Sequence, residues 1–245
     1  FVPSRGLGDV YKRQEDILSP ACYDGWPVMT HHGAIILMML CLMLSAPLLT
    51  HAETHSGSAP ETPAKTALSD ADFNEGVRAV REKDYRKAYL IFQQHAESMQ
   101  PDAQYNLALL LKSGKGSPQN FKQALVWSWL AQLGEVEPAV ELAQDLLDML
   151  EEKSVKDARG QVLEQLEDGI AKKDRSAVMK IARYYQQVEG EPDMGQAYTW
   201  YAVAAALDIE GAAKARDEAF DDVDEADIVD LQEEATTLFD AFVKQ

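Results

Sequence analysis

Few side chains in this chain of 245 residues could do chemistry. The strongest candidates for a general base or nucleophile are the five histidines, the two cysteines and the carboxylates. His55 lies in the Ser/Thr/Pro-rich tract ETHSGSAPETPAKTA, and His95 in the helical string IFQQHAE, seven residues after Ala88, where packing accounts for it. There is no G-x-S-x-G elbow and no H-E-x-x-H pair, so acyl-transfer and zinc-hydrolase readings have no starting point. Gly114-Lys115-Gly116 lacks the spacing of a phosphate-binding loop and fits a turn instead. The pairs Glu151-Glu152 and Glu233-Glu234 are sequence neighbours on predicted helices, whereas glycoside hydrolysis needs two carboxylates facing each other across a cleft. DDVDEADIVD has neither the central Gly nor the terminal Glu of an EF-hand loop. These residues therefore give no catalytic, cofactor or metal-ligand set, and the expectation is a protein that is not an enzyme.

Spacing says more than chemistry. Asp84-Tyr-Arg-Lys-Ala88 recurs as Asn120-Phe-Lys-Gln-Ala124, 36 residues later, and as Asp193-Met-Gly-Gln-Ala197, a further 73 residues on. A fixed period in this range signals stacked helix pairs, each of which buries its apolar face only against its neighbours. Within 103–134, Leu107, Leu110 and Leu111 form an apolar stripe, and Ala103, Ala108, Ala124 and Ala131 allow two helices to approach closely. Gly114 and Gly116 suit a helix end and the turn after it. Ser117-Pro118 reads as an N-cap followed by Pro at the first helical position.

Helices are predicted over 70–81, 85–98, 102–113, 118–133, 136–151, 155–172, 175–188, 193–207, 210–220 and 225–243, with Ser69 and Asp72 as a capping pair. No segment alternates like a strand, so the domain at 69–245 is predicted to be all-α. Residues 1–28 fit no native element. Met29 to Ala52 reads as a signal peptide, with the apolar run AIILMMLCLMLSA followed by Thr50-His51-Ala52; retention as an anchor is the alternative. Residues 53–68 read as a flexible linker. Cleavage after Ala52 would remove Cys22 and Cys41, leaving no thiol for a disulfide or metal. The expected location is the periplasm or the exterior of a bacterial cell.

The positions Ala103, Leu107, Gly114, Gly116, Asn120, Phe121, Ala124, Trp127, Ala131 and Gly134 resemble the Sel-one-like repeat, a relative of the tetratricopeptide repeat. A second match runs through Ala177, Ile181, Tyr185, Gly190, Asp193, Ala197, Trp200, Ala204, Ala205 and Ala212. Asn120, Ser117 and Leu111 depart from the pattern, the second copy has one turn Gly, and 140–173 matches poorly. The resemblance implies a right-handed α-solenoid of stacked antiparallel helix hairpins, serving as a scaffold for a protein or peptide partner in the cell envelope. A cell-wall carbohydrate-binding protein or hydrolase is the alternative.

Beyond residue 52 the chain carries 20 basic and 37 acidic side chains, so nucleic acid and anionic membranes are poor partners. Eleven of the acids fall between Asp217 and Asp240, where there is no Lys or Arg. A solubilising end cap, a docking face for a basic partner and a calcium site are the readings open for that segment. Trp127 and Trp200 hold the repeat's own tryptophan position and are expected in the core. Trp129, where the repeat usually carries a polar residue, is the candidate partner-binding residue; packing against the next repeat is the other possibility.

Overall fold

The computed structural model describes residues 69–244. The expected leader, signal peptide and linker, with His55 and both cysteines, lie outside the described residues. Ten helices and no strand occur among the described residues: α1 (Asp70–Arg81), α2 (Tyr85–Ala96), α3 (Pro101–Ser113), α4 (Phe121–Leu133), α5 (Pro138–Leu147), α6 (Glu152–Ala171), α7 (Arg175–Gln187), α8 (Met194–Ala206), α9 (Ala212–Phe220) and α10 (Ile228–Lys244). None of these helices is long and apolar enough to cross a membrane.

Local chemistry explains where the helices start. Ser69 and Asp72 form the expected capping box: the Ser69 side chain accepts from the Asp72 amide, and the Asp72 carboxylate accepts from the Ser69 amide. The recurring pentamer is also a cap. Asp84, Asn120 and Asp193 are the N-caps of α2, α4 and α8, accepting from the amides of Lys87, Gln123 and Gln196 at 3.2, 3.0 and 2.9 Å. The closing alanines, Ala88, Ala124 and Ala197, are fully buried. Cap and close-packing alanine together set both where the helix begins and which face it buries.

Several boundaries differ from expectation: α5 ends at Leu147 and not at 151, α6 begins at Glu152 and not at 155, and α10 begins at Ile228 and not at 225. α4 begins at Phe121 and not at Pro118, because Asn120 takes the capping role predicted for Ser117. Pro118 stays in the loop. Gly114 and Gly116 do sit at positive φ, 65° and 77°. At Gly116 an added Cβ would lie 2.1 Å from the Tyr85 carbonyl oxygen, so no other residue fits there.

The turns carry the period more faithfully than the helices do. Met99, Glu135, Lys173 and Asp208 all have positive φ and are spaced 36, 38 and 35 residues apart. After each, the next amide donates to a carbonyl five residues back: Gln100 to His95 (3.3 Å), Val136 to Ala131 (3.0 Å), Asp174 to Gly169 (2.9 Å) and Ile209 to Ala204 (3.1 Å). This is the Schellman closure of a helix end, made here by residues other than Gly. The segment 140–173 therefore belongs to the repeat through its turn. Counted back from Lys173, the cap, alanine and tryptophan positions hold Ala158, Val162 and Gln165, which is why the motif is unrecognisable there.

Helix lengths and packing show a larger unit. α3 to α6 run 13, 13, 10 and 20 residues, and α7 to α10 run 13, 13, 9 and 17. α4 packs on α3, α5 and α6, and α8 packs on α7, α9 and α10 in the same way. α6 packs on α7, α4 also touches α7, and α2 stacks on both α1 and α3. The chain is thus a neighbour-stacked helical repeat in which a four-helix unit occurs twice. That doubling accounts for the 73 residues between Asn120 and Asp193.

Candidate interaction surface

The three tryptophans of the helical domain are all buried. Trp127 and Trp200 retain 8% and 9% exposure, as their repeat position implies. Trp129 retains 4%, so of its two readings the packed one holds and it is not an exposed anchor. The reason is that α4 has almost no solvent face: Ala124 to Ala131 and Leu133 are all buried. The Arg159 guanidinium of α6 lies over the Trp129 ring, 5.8 Å from its centroid, and Arg159 Nε donates to the Val188 carbonyl at 2.8 Å. Tyr184 Oη in turn donates to the Arg159 carbonyl at 3.4 Å. Trp129 of α4 and Arg159 of α6 thus pack on each other in the first four-helix unit.

The corresponding place in the second four-helix unit is open. Moving 73 residues along the chain replaces Trp129 with Ala202 and Arg159 with Gln232. A cleft of about 560 Å³ lies there between α8, α9 and α10, and both replacement residues line it. Its aromatic wall is Tyr198 and Phe220, with ring centroids 5.9 Å apart and planes tilted by 56°. Tyr198 is buried and its hydroxyl accepts from Gln232 Nε2 at 3.2 Å, whereas Phe220 is 42% exposed. Asp217 and Asp221 stand at the rim, and Arg216 is turned onto Asp217, with Nε at 2.9 Å and Nη2 at 2.6 Å from its carboxylate.

A second cleft, of about 520 Å³, opens between α2, α3 and the start of α4. Tyr89, Leu107, Leu111 and the outer edge of Trp127 form its apolar part, and Gln93, Gln119 and Gln123 its polar part. No charged residue lines it.

The histidine and carboxylates that could do chemistry are not brought together. His95 is fully buried, with Nδ1 against Gln100 Oε1, Nε2 without a hydrogen-bond partner and the Phe73 ring packed edge-on. It fills the turn-relative position held by Ala131 and Ala204 in other repeats. Glu151, Glu152 and Glu233 are exposed, and Glu234 accepts from Gln196 Nε2 at 3.2 Å. Lys115 lies over the Tyr85 ring at 5.1 Å, in a turn. Among the described residues no three His, Cys, Asp or Glu side chains are grouped to hold a metal ion. Nine of the eleven acids from Asp217 to Asp240 point into solvent.

Lys180 in α7 was not singled out by sequence reasoning. It is 4% exposed and donates to the carbonyl of Met99, the left-handed residue of the α2–α3 turn, at 3.1 Å. Burial pulls its amine down to about 8, with nearby Arg183 adding to the shift and Asp174 opposing it. Its position one residue before Ile181 of the second repeat match was the available signal, but its partner 81 residues away was not legible.

Two stability measurements follow. Trp129→Ala should lower unfolding free energy by about 3–5 kcal/mol, as for other buried aromatics, while Glu233→Gln should stay within about 0.5 kcal/mol of wild type. Equal urea midpoints for the two variants would contradict the packing role. For Lys180, the unfolded chain holds its proton up to the ordinary lysine range while the folded chain releases it near 8. The unfolded state therefore binds more protons in that window, and stability should rise between pH 8 and 10, by about 1.4 kcal/mol per unit of separation. Above pH 10, Tyr184, Tyr185 and Tyr201, all raised chiefly by burial, act in the opposite direction. Lys180→Met should flatten the rise; the same slope in wild type and variant would exclude this lysine as its source.

No protein-family model and no curated protein matches the chain. Among solved structures, it is similar to a protective antigen present in uropathogenic Escherichia coli strains that displays an SLR fold. Identity is 19%, the match covers 71% of this chain and 29% of that chain, and the TM-score is 0.31. This chain thus corresponds to less than a third of that protein's length.

Proposed function

We propose that this protein is a non-enzymatic interaction scaffold of the Sel-one-like type, acting on a protein or peptide partner in the bacterial cell envelope. The observation that carries the reading is the form of its accessible space. Two open clefts lie between successive helices of the repeat, and the carboxylates lining them, Asp217 in α9 and Asp221 at its C-cap, are four residues apart on the same side. Carboxylates one helical turn apart do not oppose each other across a bond, as hydrolysis requires. Clefts between stacked repeats are the surfaces on which helical repeat proteins hold partners. The caps Asp84, Asn120 and Asp193 and the buried tryptophans support the family reading residue by residue.

The carbohydrate reading draws its support from the amide-lined first cleft, where Gln93, Gln119 and Gln123 could hydrogen-bond a neutral sugar. The envelope location rests on the apolar run from Ala34 to Ala46 and the small residues before Glu53.

Expression from Met29 in a bacterial host, followed by crosslinking in envelope extracts, tests both parts. The expected product begins at Glu53, is released with the periplasmic fraction, and crosslinks to a protein partner. A full-length cytoplasmic product would contradict export, and sedimentation with purified peptidoglycan in place of protein crosslinking would favour the carbohydrate alternative.

A further inference from the structure

The two four-helix units differ at one place in a way that points to a ligand. In the first unit an indole with a guanidinium over it, Trp129 and Arg159, stands between the second and fourth helices. In the second unit the corresponding residues are Ala202 and Gln232, and they line a cleft of about 560 Å³. Both substitutions remove atoms from the same volume, and one of them also removes a positive charge. The remaining walls suit what was removed. Phe220 and Tyr198 present aromatic surface, and Phe220, 42% exposed, is the aromatic ring among the exposed large hydrophobic side chains of the described residues. The rim is acidic. Asp217 is held by Arg216, while Asp221 is exposed with no cation paired to it, and the flanking segment to Asp240 has no Lys or Arg.

We propose that the cleft between α8, α9 and α10 binds a segment of a partner protein carrying an aromatic side chain next to an arginine. The aromatic ring enters the volume over Ala202 and packs on Tyr198 and Phe220. The guanidinium takes the place that Arg159 holds in the first unit and faces the Asp221 side of the rim. The partner thus completes in trans the pair that Trp129 and Arg159 make within the chain. An aromatic ring and an arginine are also the side chains that most often anchor protein interfaces. This inference deepens the scaffold reading and rests on it.

The test uses the chain from Glu53 to Gln245 and a fluorescein-labelled peptide, Gly-Ser-Trp-Arg-Ser-Gly, followed by fluorescence anisotropy. The wild-type protein should bind it, and peptides with Ala for Trp or Glu for Arg should bind at least tenfold more weakly. The double variant Ala202→Trp, Gln232→Arg should plug the cleft, reduce binding at least tenfold and melt no earlier than wild type. Phe220→Ala, at an exposed position, is the second variant and should also weaken binding should the plugged protein fail to fold. A control, Glu151→Gln with Glu152→Gln, changes charge elsewhere and should leave binding intact. Undetectable binding of the Trp-Arg peptide, or equal binding by wild type, Phe220→Ala and the plugged variant, would overturn the proposal. So would concentration-dependent self-association that the plug abolishes, since the occupant would then be a second copy. Envelope crosslinking separates the two levels: a partner captured equally by wild type and plugged variant leaves the scaffold standing and removes this cleft, whereas no capture by wild type removes the scaffold itself.

Discussion

The structure depends on a single backbone device, the left-handed residue that ends one helix pair and aims the next. At Met99, Glu135, Lys173 and Asp208 the chain takes positive φ, and the following amide closes back onto a carbonyl five residues earlier. None of these four is Gly, although a side chain in this region costs on the order of 1 kcal/mol. The cost is met because each turn satisfies carbonyls that would otherwise end a helix unpaired. The residue four before the left-handed position is Ala131, Gly169 and Ala204 in three of the repeats, and the first repeat fits buried His95 there. A small residue there lets the next helix pass close by: at Gly169 an added Cβ would come 2.9 Å from the Ala177 side chain.

Cations then tie the stacked elements together. Arg86 donates to the Gly116 carbonyl, Arg183 to Leu133, Arg159 to Val188 and Lys180 to Met99. Arg175 donates to the Leu207 carbonyl, and Lys173 to those of Ala241 and Phe242. Most of these carbonyls sit at helix ends, where the backbone dipole favours a positive charge. Where the donor is partly buried, as for Arg159 and Arg183, a charged hydrogen bond contributes about 1.5–3 kcal/mol, more than exposed ion pairs such as Lys214–Glu218, whereas desolvation offsets the gain at Lys180.

Much of this was legible in the sequence, for identifiable reasons. The pentamer ending in Ala88, Ala124 and Ala197 carries both a cap and a packing contact, two constraints strong enough to survive as residues. The turns were not legible, because a left-handed Met, Glu, Lys or Asp has no residue signature. The repeat in 140–173 therefore went unrecognised, and so did the doubling of the unit. Pro118 misled because a cap three residues before Gln123 outweighs a proline that is merely compatible with a helix start. Of the two readings open for Trp129, packing holds, because α4 has almost no solvent face. FKQALVWSWLAQL is apolar nearly all round, which is the mark of a helix enclosed by neighbours. The open cleft in the second unit followed only once Ala202 and Gln232 could be set against Trp129 and Arg159.

The central claim is that the turns, more than the helices, define the repeat. Native-state hydrogen exchange of the Val136 and Ile209 amides tests it most directly, since each donates the closing bond of its turn. The account predicts that both exchange as slowly as the interior amides of α4 and α8, because opening them requires separating the stacked elements. Exchange at the rate of an unstructured chain, with the helices still protected, would contradict it.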